Sequence, residues 1–125
     1  MLTHNNKTLS MVIKKSQRFT DYKINLKGGA GKIVIKHVLE KQEFTSSIRH
    51  FSDMIIASGC SIGKHKHINE EEIYVVREGK GYAHLNESEF ILEAGDVMIV
   101  KDGDEHSITN IGDSDLMITA VISCY

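Results

Sequence analysis

Gly59-Cys60-Ser61-Ile62-Gly63-Lys64-His65-Lys66-His67-Ile68-Asn69-Glu70-Glu71-Glu72-Ile73-Tyr74-Val75-Val76-Arg77-Glu78-Gly79 is the stretch whose reading decides the fold. Glycines close it at both ends. Inside it, one residue separates His65 from His67, and four separate His67 from Glu72. Side chains alternate faces along a strand, so His65 and His67 point the same way and can offer two imidazoles to one ion. By the same alternation Glu72, Tyr74 and Val76 share a face of the following strand; with Glu72 turned inward, Tyr74 and Val76 become pocket wall. A further histidine, His106, lies beyond Gly95 and Gly103. Imidazole nitrogens with one carboxylate suit a borderline divalent metal such as manganese, iron, nickel or zinc. Taken alone, a histidine pair flanked by Lys64 and Lys66 is equally compatible with a solvated surface.

Outward from this stretch the chain reads as short strands separated by turns. Strand-like runs cover residues 32–39, 48–57, 72–77, 81–85, 89–92, 97–101, 106–109 and 116–123. Turn-forming groups stand between them: Gly28-Gly29-Ala30-Gly31, Glu78-Gly79-Lys80-Gly81, Asn86-Glu87-Ser88, Glu93-Ala94-Gly95-Asp96, Asp102-Gly103-Asp104 and Asn110-Ile111-Gly112-Asp113. Glycines at such turns supply the positive φ that hairpins need. Many short strands at regular intervals indicate an all-β sandwich or barrel. No window keeps a clean helical period; residues 16–23 hold one helical turn at most. Residues 1–10 are polar and aperiodic and read as a loosely held tail, and Met11 can itself be a translation start.

The 125 residues fit one domain spanning residues 1–125, with a core large enough to need no disulfides. A formal charge of −2, from 15 basic and 17 acidic residues without a basic stripe, argues against a nucleic-acid partner. No apolar run reaches membrane-span length, and the first residues lack the apolar core of an export signal. Two cysteines, Cys60 and Cys124, form no CxxC pair, which fits a reduced, cytoplasmic setting. Cys60 lies close enough in sequence to His65 to approach a metal, though a packed thiol is the simpler expectation. The chain contains no proline.

Two motifs emerge. Gly59, five residues, His65, one, His67, four, Glu72, six, Gly79 is the first; Gly95, five residues, Lys101, one, Gly103, two, His106, three, Asn110 is the second. They span 59–79 and 95–110 and resemble the paired motifs of the cupin superfamily, in its small single-domain form. The resemblance implies a double-stranded β-helix, the cupin jelly-roll barrel, with a metal in its mouth held by His65, His67, Glu72 and His106. The sequence departs from the family at Lys101, where cupins usually carry the proline that shapes the turn before the last histidine. Asp102-Gly103-Asp104 can still form that turn.

Other polar residues that can line such a pocket are Arg49, His50, Tyr74, Tyr82 and His84. An arginine can hold a carboxylate by paired hydrogen bonds, and His50 or His84 can serve as a general base. Catalytic candidates are therefore His50, His84, Tyr74 and Arg49. Arg49 and His50 are adjacent, so a regular strand turns only one inward; His50 shares its parity with Met54 and Ile56, which favours His50. Met54, Met98 and Met117 read as core, Glu70-Glu71 as a solvated turn, and Asn110 as a strand end bonded to backbone.

The resemblance and the ligand set together suggest a metal-dependent enzyme acting on a small organic acid, dicarbonyl or sugar-derived metabolite. Oxygenase, decarboxylase and isomerase chemistries all occur in the superfamily. The alternative is a non-catalytic small-molecule binder or sensor. The expected partners are a small-molecule ligand, with no nucleic acid or membrane, and a second copy in a homodimer. Val12-Ile13 and residues 33–39 would supply apolar strands for that interface.

Overall fold

The computed structural model describes residues 10–125. Ten strands follow one another among them: β1 (Thr20–Ile24), β2 (Lys32–His37), β3 (Ile48–Ile56), β4 (Ser61–Lys66), β5 (Glu70–Glu78), β6 (Lys80–Leu85), β7 (Ser88–Glu93), β8 (Val97–Val100), β9 (Glu105–Asn110) and β10 (Leu116–Cys124). They form a six-stranded sheet in the order β1-β2-β3-β10-β5-β8 and a four-stranded sheet in the order β4-β9-β6-β7. Every pairing is antiparallel. Strands distant in sequence lie side by side, as when β10 fits between β3 and β5. That interleaving makes the chain a double-stranded β-helix.

Period-two burial explains why these segments become strands. In β5 the burial alternates from Glu70 through Glu72, Tyr74 and Val76; in β10 it alternates from Leu116 through Ile118, Ala120 and Ile122. The inward residues of both sheets meet in one core, in which Ile33, Ile56, Leu116 and Ile118 are fully buried. Each such side chain contributes roughly 1.5–3 kcal/mol relative to exposure. Asn110 closes β9 against backbone: its Nδ2 donates to the carbonyls of Ile56 and Ser114, each at 2.8 Å, and its Oδ1 accepts from Gly112 N at 2.8 Å. Three backbone groups at one barrel end are satisfied by that amide.

Several sequence-based expectations need correction. Met117 does not join Met54 and Met98 in the core; it has the outward parity of β10 and is half-buried. Residues 16–23, read as holding one helical turn at most, give Ser16 and Gln17 to a 3₁₀ turn at Lys15–Gln17, but the strand that follows them, Thr20–Ile24, was not expected. Val12 and Ile13 belong to no strand. Glu70 and Glu71 are not a solvated turn but open β5, with Glu70 buried. The tail expected at residues 1–10 falls almost wholly outside the described residues. No helix in them is long and apolar enough to cross a membrane.

Candidate metal centre

β4 and β9 pair so that His65 stands opposite His106, and a register irregularity between Ile62 and His65 separates this pair from the regular ladder. Such irregularities re-aim side chains near functional sites. His67 follows β4 in a connection pinned to the second motif: Gly103 N donates to His67 O at 2.6 Å, and His67 N donates to Asp104 O at 3.3 Å. The same turn shows how Lys101 replaces proline. Asp104 N donates to Lys101 O at 3.0 Å, Gly103 takes a φ of +83°, and Lys101 Nζ reaches Glu71 Oε1 at 3.2 Å. Glu72 enters from β5 in the facing sheet.

The four donors converge. One ligand atom each from His65, His67, Glu72 and His106 lies within 4.8 Å of all the others, so the group can hold a metal ion. His106 Nε2 lies 3.0 Å from His67 Nε2 and 3.1 Å from His65 Nε2. Glu72 Oε1 lies 2.9 Å from His67 Nε2 and 3.2 Å from His106 Nε2. Donors about 2.1 Å from an ion stand about 3.0 Å apart at right angles and about 3.4 Å apart at the tetrahedral angle. The observed spacings match right-angle edges.

The surrounding hydrogen bonds aim the imidazoles. His65 Nδ1 donates to Gly63 O at 2.7 Å, and His67 Nδ1 donates to Glu70 Oε2 at 2.6 Å. In the neutral tautomers these bonds select, the Nε2 lone pairs face inward. Glu72 Oε1 is then a buried carboxylate oxygen without a hydrogen-bond partner, facing nitrogen lone pairs. A cation resolves that crowding of negative ends, so the residues fit a metal ion. His106 Nδ1 also lacks a partner; its ring is held by packing 5.2 Å from the Tyr74 ring.

Glu70 and Arg49 complete an arrangement that sequence reasoning missed. Arg49 Nε and Nη2 donate to Glu70 Oε1 and Oε2 at 2.6 and 2.7 Å. The Arg49 guanidinium beside it, with a smaller pull from His67, holds the Glu70 carboxyl at about 2. Arg49 reaches this position because β3 is irregular there: β10 pairs Ile122 with His50 and Ser123 with Ile48, leaving Arg49 unpaired. That extra residue breaks the alternation, so Arg49 and His50 both line the cavity beside the cluster. The expectation that only one could do so is corrected.

Glu72 is shifted by competing causes. Burial pushes its pKa up, but His106 and His67, whose Nε2 atoms would donate to it when protonated in the metal-free site, pull harder and bring it to about 2. His67 is raised despite burial, because a proton on its ring would be stabilised first by Glu72 and then by Glu70. His65 and His50 are both lowered, chiefly by burial. Burial, and then the adjacent Glu72 carboxylate, raises Tyr74 well above the ordinary phenol value. His50 Nε2 shares a 2.6 Å hydrogen bond with the buried hydroxyl of Ser52.

The cavity next to the donors measures about 250 Å³. Ile35, Met54, Ile62 and Ile122 give it an apolar side, and Tyr74 stands among its walls. His84 and Tyr82 do not line it, contrary to their nomination from sequence. They belong to β6 of the smaller sheet, where His84 Nε2 lies 3.2 Å from Glu89 Oε1 and the Tyr82 hydroxyl donates to the same carboxylate. Cys60 is not among the converging groups; it packs half-buried against the core.

An interleaved β-barrel with three histidines and a glutamate at its mouth defines a class: a cupin-type barrel with a candidate metal centre. The family model for the cupin domain matches residues 52–122, and the chain belongs to that family. It is 38% identical over 112 residues to the oxalate-binding protein of Thermotoga maritima, covering 90% of this chain and 93% of that one. Among solved structures it is similar to a predicted oxalate decarboxylase from Thermotoga maritima, with 36% identity, a TM-score of 0.86, and coverage of 92% of this chain and 100% of that one. KdgF from Halomonas sp. shares the fold at 18% identity, with a TM-score of 0.67 over 84% of this chain and 86% of that chain.

Proposed function

We propose that the chain binds one divalent metal ion through His65, His67, Glu72 and His106 and takes a small carboxylic acid of the oxalate class at the ion's remaining positions. The observation that carries this reading is the convergence of four buried or half-buried donors beside a cavity of about 250 Å³. That volume suits a small metabolite. Donor spacings near 3 Å fit a six-coordinate manganese, iron or nickel ion, which would have positions left over for the oxygens of an acid. The names of the two Thermotoga maritima relatives supply the oxalate class.

A bound ion would supply Lewis-acid or redox chemistry. This chain's own residues would hold the acid in place. Ile35, Met54 and Ile122 exclude water from one side of it, and Arg49 acts on the centre through Glu70 and His67. His50 favours a second, catalytic reading. Burial keeps its imidazole neutral and it lies on the cavity wall, so its ring can accept or return a proton at a bound acid. Decarboxylation, oxygenation and isomerisation are the reaction classes to be tested, with non-catalytic binding as the alternative.

The proposal includes a cytoplasmic setting, supported by two free cysteines, and a two-fold homodimer. The outer face of the larger sheet supports the dimer. Phe51, Val121, Ile73 and Ile99 stand in register across four of its strands, and Ile99 and Val97 are about half exposed. A second copy of the same face would cover this stripe with a two-fold apolar contact.

Calorimetric titration of oxalate into manganese-loaded and metal-free protein tests the function. Saturable binding is expected only with the metal, and none for the His65→Ala variant under either condition. Equal binding with and without metal would reject the reading. Release of carbon dioxide or consumption of oxygen on mixing would establish catalysis.

A further inference from the structure

The turn between β1 and β2 lies across β4 closely enough that no side chain fits between them. A Cβ at Gly63 would stand 2.0 Å from Lys27 O, and one at Gly29 would stand 2.2 Å from Ser61 O. The contact is fastened by hydrogen bonds: Ala30 N donates to Ser61 Oγ at 2.8 Å, and Ser61 N donates to Ala30 O at 2.9 Å. The turn is itself closed by Asn25 N donating to Gly31 O at 2.9 Å. Gly63 is also the residue whose carbonyl orients His65. The turn is therefore seated on the strand that carries a metal donor.

The seated turn delivers two side chains of opposite character to the cavity. Leu26 is half-buried, packs against the core, and joins Ile35, Met54 and Ile62 on the apolar side. Lys27 borders the same cavity, is exposed, and makes no ion pair among the described residues. Its backbone sits at φ 55° beside Asn25 at φ 52°. L side chains seldom adopt that conformation, and it persists where surroundings over-determine it, as at ligand clamps. Two other cations border the cavity: the Arg49 guanidinium is committed to Glu70 through two hydrogen bonds, and the exposed Lys66 stands between His65 and His67 with the outward parity of β4. Lys27 is thus the cation that the seated turn holds at the cavity, with no ion-pair partner among the described residues.

We infer that the turn from Asn25 to Ala30 is the specificity element of the metal pocket: Leu26 sets the length of acid that fits, and Lys27 pairs with the carboxylate oxygens that the metal does not hold. This inference rests on the small-acid reading above. The chemical class it selects is a short dicarboxylate, with monocarboxylates bound more weakly and longer diacids obstructed.

The test uses the full chain loaded with manganese, with oxalate, malonate, succinate and acetate titrated into wild type, Leu26→Ala and Lys27→Ala. In Leu26→Ala the preference for oxalate over succinate should fall about tenfold, the scale of a methylene-sized change in an apolar pocket. In Lys27→Ala the three diacids should weaken about fivefold and acetate should not change, the scale of one partly exposed ion pair. Manganese affinity should stay within about twofold of wild type in both, because neither residue is a donor. Unchanged selectivity in both variants would overturn the inference. If wild type binds none of these acids, the small-acid reading fails. The turn is then judged by the rate at which EDTA strips manganese: faster stripping from Leu26→Ala would show that the turn covers the metal, and an unchanged rate would overturn the inference as well. Melting curves of both variants exclude loss of fold as the cause, and Leu26→Met, which keeps the volume, should restore wild-type selectivity.

Discussion

Arg49 and Glu70 meet as a two-pronged ion pair, and Glu70 spends one of the same oxygens on His67 Nδ1 at 2.6 Å. A guanidinium on β3 is thereby linked through a carboxylate on β5 to an imidazole whose other nitrogen points into the donor cluster. Such outer partners fix the tautomer and orientation of a ligand and raise its basicity.

The first prediction follows from that link. Glu70→Gln should leave the barrel folded but weaken manganese binding by about 10- to 100-fold. Arg49→Lys should weaken it by less, since an ammonium cannot reproduce the paired fork. Metal titrations of both variants check this; wild-type affinity in Glu70→Gln would show that the pair has only a structural role.

A second prediction concerns pH. Burial lowers the pKa of His50 below its ordinary value near 6.5. The unfolded chain therefore binds the proton more readily than the folded one. The associated stability is complete above about pH 6.5 and is lost as pH falls through the lowered folded value. His50→Gln should flatten this part of the metal-free stability profile. Urea unfolding midpoints between pH 7.5 and 5 would measure it, with an unchanged slope in the variant as the contrary result.

Asn110 supplies a third. Asn110→Ala strands the carbonyls of Ile56 and Ser114 and the Gly112 amide, and should cost about 1–3 kcal/mol of stability. Manganese affinity at temperatures well below the melting transition should be retained, because the amide bonds backbone rather than the donors. A variant that melts like wild type would show that water replaces those bonds without loss.

The assembly carries a fourth. Light scattering should report a dimer, and Ile99→Glu should convert it to a monomer by placing a charge on the apolar stripe. The metal site lies on the opposite side of the sheet, so manganese affinity should be retained. A wild-type monomer at every concentration would reject the pairing.

Much of this architecture was legible in the sequence because strands repeat every two residues. His65 and His67 are one residue apart and Tyr74 keeps the parity of Glu72, so the histidine pair and one wall residue could be read directly; the full donor set came from the resemblance, and Val76, expected in the wall, lies in the core instead. The motif spacing singled out Glu72, but nothing in the sequence showed that β5 begins two residues earlier, so Glu70 and Glu71 read alike as a turn; only the fold assigns Glu70 to a donor's support. Arg49 was obscured by the irregularity in β3, which defeats a parity argument. β1 was missed although Thr20, Tyr22 and Ile24 alternate with Asp21 and Lys23: the run is only five residues long, and at the sheet edge its Tyr22 and Ile24 side chains stay exposed instead of joining the core. His84 looked eligible on residue type alone, and its distance from the cavity is a property of which sheet β6 joins. The seat of the Leu26 turn depends on Gly29 meeting Gly63, a contact between segments that local sequence does not connect.

The most direct test of the central claim is a manganese titration followed by the electron paramagnetic resonance signal of the free ion. One equivalent of manganese should bind to each wild-type chain, and tight binding should be lost in both Glu72→Gln and His106→Ala, which keep their folded circular dichroism. Wild-type protein that leaves all the manganese free, or variants that bind it as tightly as wild type, would contradict the claim that these four side chains form one metal site.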